Sequence, residues 1–250
     1  ATYGETLDLW RQTLKTGDMG ARLTANLEAL PADAVIAADW EQVTILWYEQ
    51  QVENRREDLA IVYPIERYAD YVGERPVCLA RHFPAGDDWH YTNVGALICL
   101  DETPQTTIPV NIIPLNIDLF TPEGDAIIRL VGYASDIPDD ASGTHIPVTL
   151  TWQALTDIPT DYSISVQILR EDWSSLGWQR DIQAPVMGLY PTSRWINGEV
   201  VNDYHEISVP PETSPGRYLW TIVMYDGNFV QLRDADGNIN ILGGTFEVKD

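Results

Sequence analysis

Apolar positions follow two rhythms along this chain. Up to about residue 100, helical spacing alternates with short continuous runs. Residues 6–16 place Leu7, Trp10 and Leu14 on one helical face. Leu23, Leu27 and Leu30 line a second helix, capped by Asp18 and ended by Pro31. Residues 34–38 form a short apolar strand. Asp39 then caps a helix carrying Val43, Leu46, Trp47 and Gln50, with Gln42 completing a capping box. Residues 59–63 give another strand, and Pro64 opens a helix at its first turn. Residues 76–80 and 95–100 are two more strands of buried type. Continuously apolar strands between helices predict a small three-layer α/β domain with a mainly parallel sheet and right-handed crossovers.

Beyond residue 101 the rhythm changes to a period of two. Residues 101–114, rich in Thr and Pro, read as a linker or edge segment. Strands are predicted at 112–120, 126–134, 147–154, 162–170, 177–183, 199–209, 217–226, 229–233 and 239–248. In the third of these Val148, Leu150 and Trp152 alternate with Thr149, Thr151 and Gln153. Asp226-Gly227, Asp236-Gly237 and Pro215-Gly216 mark turns. Strands of this length and spacing predict an all-β second half, an antiparallel β-sandwich of jelly-roll or immunoglobulin-like kind. The expected division is residues 1–105 and 106–250.

Charge narrows the partners. The chain has 38 acids and 15 bases, a formal net charge of −23. The first 100 residues hold 16 acids and 8 bases (net −8) and the remainder 22 and 7 (net −15). Nucleic-acid backbones and anionic lipid surfaces need clustered positive charge, so neither is an expected partner. Apolar content of 44% is ample for packed cores. No apolar run reaches the length of a membrane span, and the first residues lack the pattern of a signal peptide, so a soluble piece without direct membrane insertion is expected. Cys78 and Cys99 lie in apolar runs that suit buried thiols. A bridge is open to them if their strands are neighbours.

Candidate chemistry is sparse. The turn after the first strand, Ala38-Asp39-Trp40-Glu41, has no glycine and two acids, which argues against phosphate binding. No nucleophile elbow, zinc pattern or cofactor signature occurs. His82 and His90 bracket a loop with Asp87, Asp88 and Trp89. Such a loop at a strand's carboxyl end is where open α/β sheets bind ligands, and Asp39 ends a strand in the same way. Residues 234–238 begin like a calcium loop, but position twelve is Thr245, so a turn is expected. Of the nine tryptophans, Trp152 and Trp220 read as core, whereas Trp173, Trp178 and Trp195 fall in or near loops. Loop aromatics beside carboxylates and amides suit a sugar face. Asp181, Glu199 and Asp203 with Arg194 are expected as a polar rim, and Tyr218 as a corner tyrosine tying down a crossing loop.

Two stretches carry a resemblance. Residues 30–62, with Leu30-Pro31, Asp39, Trp47-Tyr48, Arg56 and Asp58, resemble the segment after the last membrane span of bacterial multi-spanning proteins related to dolichyl-phosphate-mannose–type mannosyltransferases. The run PTSRWINGEVVNDYHEISVP, with PGRYLWTIVMYD and QLRDADGN, is similar to the β-sandwich tail of many such proteins. Pro191, Thr192, Ser193, Trp195, Gly198, Glu199, Asp203, Pro215, Gly216, Tyr218, Tyr225, Asp226, Leu232 and Gly237 carry that match, and Asp181 and Pro185 also fit. In that family the catalytic acids lie between membrane helices outside the matched region, so no catalytic residue is carried over. The resemblance implies an extracytoplasmic, non-catalytic domain tethered through spans elsewhere, whose partners would be a glycan or the membrane-embedded part of the same polypeptide. Two other readings remain. One is a freestanding carbohydrate-binding module using Trp173, Trp178 or Trp195; the other is a hydrolase centred on the loop from His82 to His90.

Overall fold

In the computed structural model, residues 19–249 are described; the predicted helix at 6–16 and the Asp18 cap lie outside them. Strand is the main regular structure of the described residues, and the chain divides into two compact units. The described residues up to Phe83 with Val94–Leu100 form one, and Pro84–Asn93 with Asp101 onward form the other.

In the first unit, helix α1 (Met19–Thr24) precedes strand β1 (Val35–Ala37), helix α2 (Trp40–Gln51), β2 (Ala60–Val62), a 3-10 helix (Ile65–Asp70) and β3 (Val77–Leu79). Strand β5 (Leu97–Asp101) extends the order to β2-β1-β3-β5; β4 (His90–Val94) falls in the second unit except for Val94. Every residue of β1 and β3 is buried, which is what an unbroken apolar run needs: cover on both faces. On one face, Leu23, Leu27, Leu30, Val43 and Leu46 pack with Ile36, Cys78 and Cys99 in a single apolar cluster.

The sheet is mixed where a mainly parallel one was expected. β1 pairs parallel with β2 and β3, but β3 runs antiparallel to β5. That antiparallel register sets Cys78 opposite Cys99, and the two form a disulfide rather than buried thiols. The helix expected after Pro64 is a 3-10 helix that follows a cis Tyr63–Pro64 bond. Residues 90–94, for which no strand was expected, are a strand.

The capping box does not form either. Asp39 stands at the N-cap of α2 without a side-chain cap hydrogen bond. Its carboxylate pairs instead with Arg81, a cation being a stronger partner than a neutral amide. Arg56 gathers this unit. Its guanidinium donates to the carbonyls of Leu27, Leu30 (3.1 Å) and Pro31 (2.9 Å) and to both oxygens of Asp58 (2.8 and 2.7 Å). The Leu-Pro and Arg-x-Asp elements of the first resembling stretch are therefore one clamp.

The second unit holds two antiparallel four-stranded sheets. One has the order β11-β8-β7-β6, from β6 (Ile113–Phe120), β7 (Ala126–Ser135), β8 (His145–Ala154) and β11 (Val200–Ser208). The other has the order β10-β9-β12-β13, from β9 (Tyr162–Arg170), β10 (Ser175–Ile182), β12 (Gly216–Asp226) and β13 (Ile241–Val248). Trp152 on β8 and Trp220 on β12 are fully buried, as their inward alternation predicted. Tyr133 of β7 meets Trp220 edge-on at 4.9 Å between ring centres, which joins the two sheets. Residues 229–233 are not a strand; only isolated bridges form, Phe120 with Arg233 and Tyr225 with Gln231. Their register follows Asp226, whose carboxylate accepts from Asn228 N and Val230 N and turns the chain too sharply for a ladder.

Candidate functional site

Within the second unit, the segment Pro84–Asn93 lies along β11, the edge of its sheet. An edge strand carries unpaired N–H groups. Here they are met by side chains: Asn202 N donates to Thr92 Oγ1 at 3.1 Å, and Tyr204 N to Asn93 Oδ1 at 2.9 Å. This placement brings His90 to Glu199 and Tyr190.

Glu199 is 1% exposed and accepts three hydrogen bonds. Tyr190 Oη donates at 2.8 Å, His90 Nδ1 at 2.9 Å, and Ile196 N at 3.1 Å to the other oxygen. His90 Nδ1 also lies 2.6 Å from Tyr190 Oη. A carboxylate only accepts, so the tyrosine hydroxyl is the donor to it. The proton of His90 must then sit on Nδ1, facing both oxygens, which fixes the tautomer. Burial first, and then the hydrogen bond to Glu199, push the Tyr190 hydroxyl far above its ordinary pKa, so it stays protonated. Burial likewise raises the Asp101 carboxyl.

Arg194 closes the group. It stacks over Tyr190 and Tyr91, 5.1 and 5.7 Å from the ring centres, and donates to the carbonyls of Asp87 and Trp89 (2.7 Å for the latter). It also bonds the Asp87 carboxylate at 3.3 Å. Trp195, 1% exposed, packs against Tyr190 at 6.2 Å. The arrangement holds protons in place and locks the segment from residue 84 to 93 onto the sheet.

Five of the residues singled out by their sequence context thus come together: Asp87, His90, Arg194, Trp195 and Glu199. The burial of Trp195 corrects its reading as a sugar platform, because no ring face is presented to solvent. The polar rim is corrected too. Glu199 is interior, and Asp203, 0% exposed, accepts from Val186 N at 2.8 Å and from His205 Nε2 at 2.6 Å. His82 is exposed and belongs with the first unit, as does Asp39. Trp173 is 49% exposed and Trp178 is half-buried. Tyr190 gave no signal in sequence, since nothing local marks a tyrosine whose partner lies 100 residues away. Among the described residues, no group of three or more His, Cys, Asp or Glu is placed to hold a metal ion.

The remaining motif residues have plain duties. Thr192 Oγ1 donates to Thr160 O and accepts from Tyr162 N, and Ser193 N donates to Asp161, so this motif pins the connection between β8 and β9. Tyr218 Oη donates to Ser214 O at 2.7 Å, a corner tyrosine as expected, although its tie is to the turn leading into its own strand.

No helix among the described residues is long and apolar enough to cross a membrane. No family model and no curated protein matches the chain. Among solved structures, the C-terminal domain of Wzt aligns at 14% identity and TM-score 0.37, covering 52% of this chain and 81% of that one. A Niemann-Pick type C2 protein from Japanese carpenter ant aligns at 9% identity and TM-score 0.34, covering 52% of this chain and 98% of that one.

Proposed function

We propose that this chain is a non-catalytic, extracytoplasmic module of a glycosyltransferase-like membrane protein, serving to hold acceptor, glycan or partner. The observation that carries this reading is the use to which the two resembling stretches put their residues. Leu30, Pro31, Arg56 and Asp58 form one clamp, while Thr192, Trp195, Glu199 and Asp203 are interior props. Motifs with such duties maintain a shape, as a shared accessory domain requires. The Cys78–Cys99 disulfide supports an oxidising compartment. The two antiparallel sheets, read as a jelly-roll or immunoglobulin-like sandwich in a chain that also carries a small layered α/β unit, fit an accessory role.

Fractionation of the tagged full-length protein tests this reading. The full-length protein should stay in membranes through alkaline carbonate extraction, while the present 250 residues expressed alone should not. Full-length protein released by carbonate would overturn it.

A further inference from the structure

The second unit has a trough apart from the His90 group. A hollow of about 550 Å³ is lined by Trp173, Ile117, Asn238, Asn240 and the chain from Gly237 to Leu242. A second hollow of about 400 Å³ shares Ile117 and Asp234 with it and adds Asn116 and Phe120, so the depression is elongated. Three observations point to its occupant.

The first is how Trp173 is held. It sits in the turn between β9 and β10 with φ +65°, a region that bulky residues avoid, and with half its surface in water. Trp173 N bonds Arg170 O, and Ser174 N bonds the Asp172 carboxylate, so the turn is ordered and the indole is presented. The second is the distribution of hydrogen-bonding groups. Both Asp234 oxygens are consumed within their own turn, by Asp236 N, Asn238 N and Asn238 Nδ2. That leaves the Asn240 amide, which bonds no other described side chain or backbone group, and the Asn238 side-chain oxygen uncommitted, and both residues line the trough. The third is charge. No arginine or lysine lines either hollow, and the chain carries −23, so an anion is repelled. A cation finds too few oxygens: Asp234 is engaged in its own turn, Asp118 is held by Arg129 at 3.1 Å, and Asp236 at the second hollow is a single exposed carboxylate where a hard cation needs several ligands.

From these we infer that the trough bordered by Trp173, Asn238 and Asn240 binds an uncharged oligosaccharide chain, one ring stacking on the indole and its hydroxyls bonding the amides. The inference rests on the accessory-module reading for its context and names the glycan-holding surface within it. The elongated shape favours several sugar units over a single one.

Affinity electrophoresis of the full chain through gels containing soluble neutral polysaccharides (mannan, galactan or mixed-linkage glucan) tests the inference, with polygalacturonate as the anionic control. At least one neutral polymer should retard the wild type. Trp173→Ala should weaken retardation about tenfold, Trp173→Phe should restore part of it, and Asn240→Ala should weaken it several-fold. Trp40→Ala, at an exposed tryptophan of the first unit, should change nothing. Trp173 is half in water, so the variants should melt with the wild type. Absence of retardation by every neutral polymer, retention by polygalacturonate alone, or retention undiminished in Trp173→Ala would each overturn the inference. Protein that stays in membranes through carbonate extraction yet binds no neutral glycan would leave the accessory-module reading intact.

Discussion

At the scale of single residues, Trp220 shows how a large core side chain dictates its neighbours. A Cβ at Gly243 would stand 2.1 Å from the Trp220 ring, closer than any side chain tolerates. The Gly243-Gly244 pair in β13 therefore lets the indole lie against the strand. Gly243→Ala should cost about 1–3 kcal/mol by overpacking, read as a lower urea midpoint with unchanged slope. Tyr190→Phe removes one of the three donors to buried Glu199. It should destabilise by about 1–3 kcal/mol, and the His90 ring resonances should shift in NMR spectra because their Nδ1 partner is altered. Unchanged stability would show that water replaces the hydroxyl. Sequence alone marked Trp152 and Trp220 as core through strand alternation. It misplaced Trp195, because whether a loop residue is buried depends on how the loop folds back, here against the Tyr190 ring, and not on its position between strands.

At the scale of elements, periodicity located most strands of the second unit within a few residues. Pairing in the first unit was less legible. Apolar runs specify burial but not direction, so the antiparallel β3–β5 pair, and with it the disulfide, could not be read from them. Strand β4 was hidden because His90, Thr92 and Asn93 are polar; these side chains serve Glu199 and the open edge of β11. The clamp between Arg56 and Asp58 is a titratable fastening. The guanidinium bond holds the Asp58 carboxyl well below the usual carboxylate range. A depressed folded-state pKa contributes stability above the unfolded value of about 4, and that contribution is lost as pH falls below it. The urea midpoint should therefore drop between about pH 5 and pH 2.5, and Asp58→Asn should lower it at neutral pH while flattening that acid limb. An acid limb identical in Asp58→Asn would contradict the assignment.

At the scale of the whole molecule, two compact units share one acidic chain, and Pro84–Asn93 belongs to the second although its neighbours in sequence belong to the first. Composition suggested a single boundary near residue 105; it carries no sign of a ten-residue segment grouped with a later part of the chain. Topology in living cells decides whether the proposed accessory module faces outward. Val110 is 92% exposed. In full-length protein carrying Val110→Cys, a membrane-impermeant maleimide applied to intact cells, with any outer barrier permeabilised, should label that position. Labelling only after the cytoplasmic membrane is broken would contradict the account.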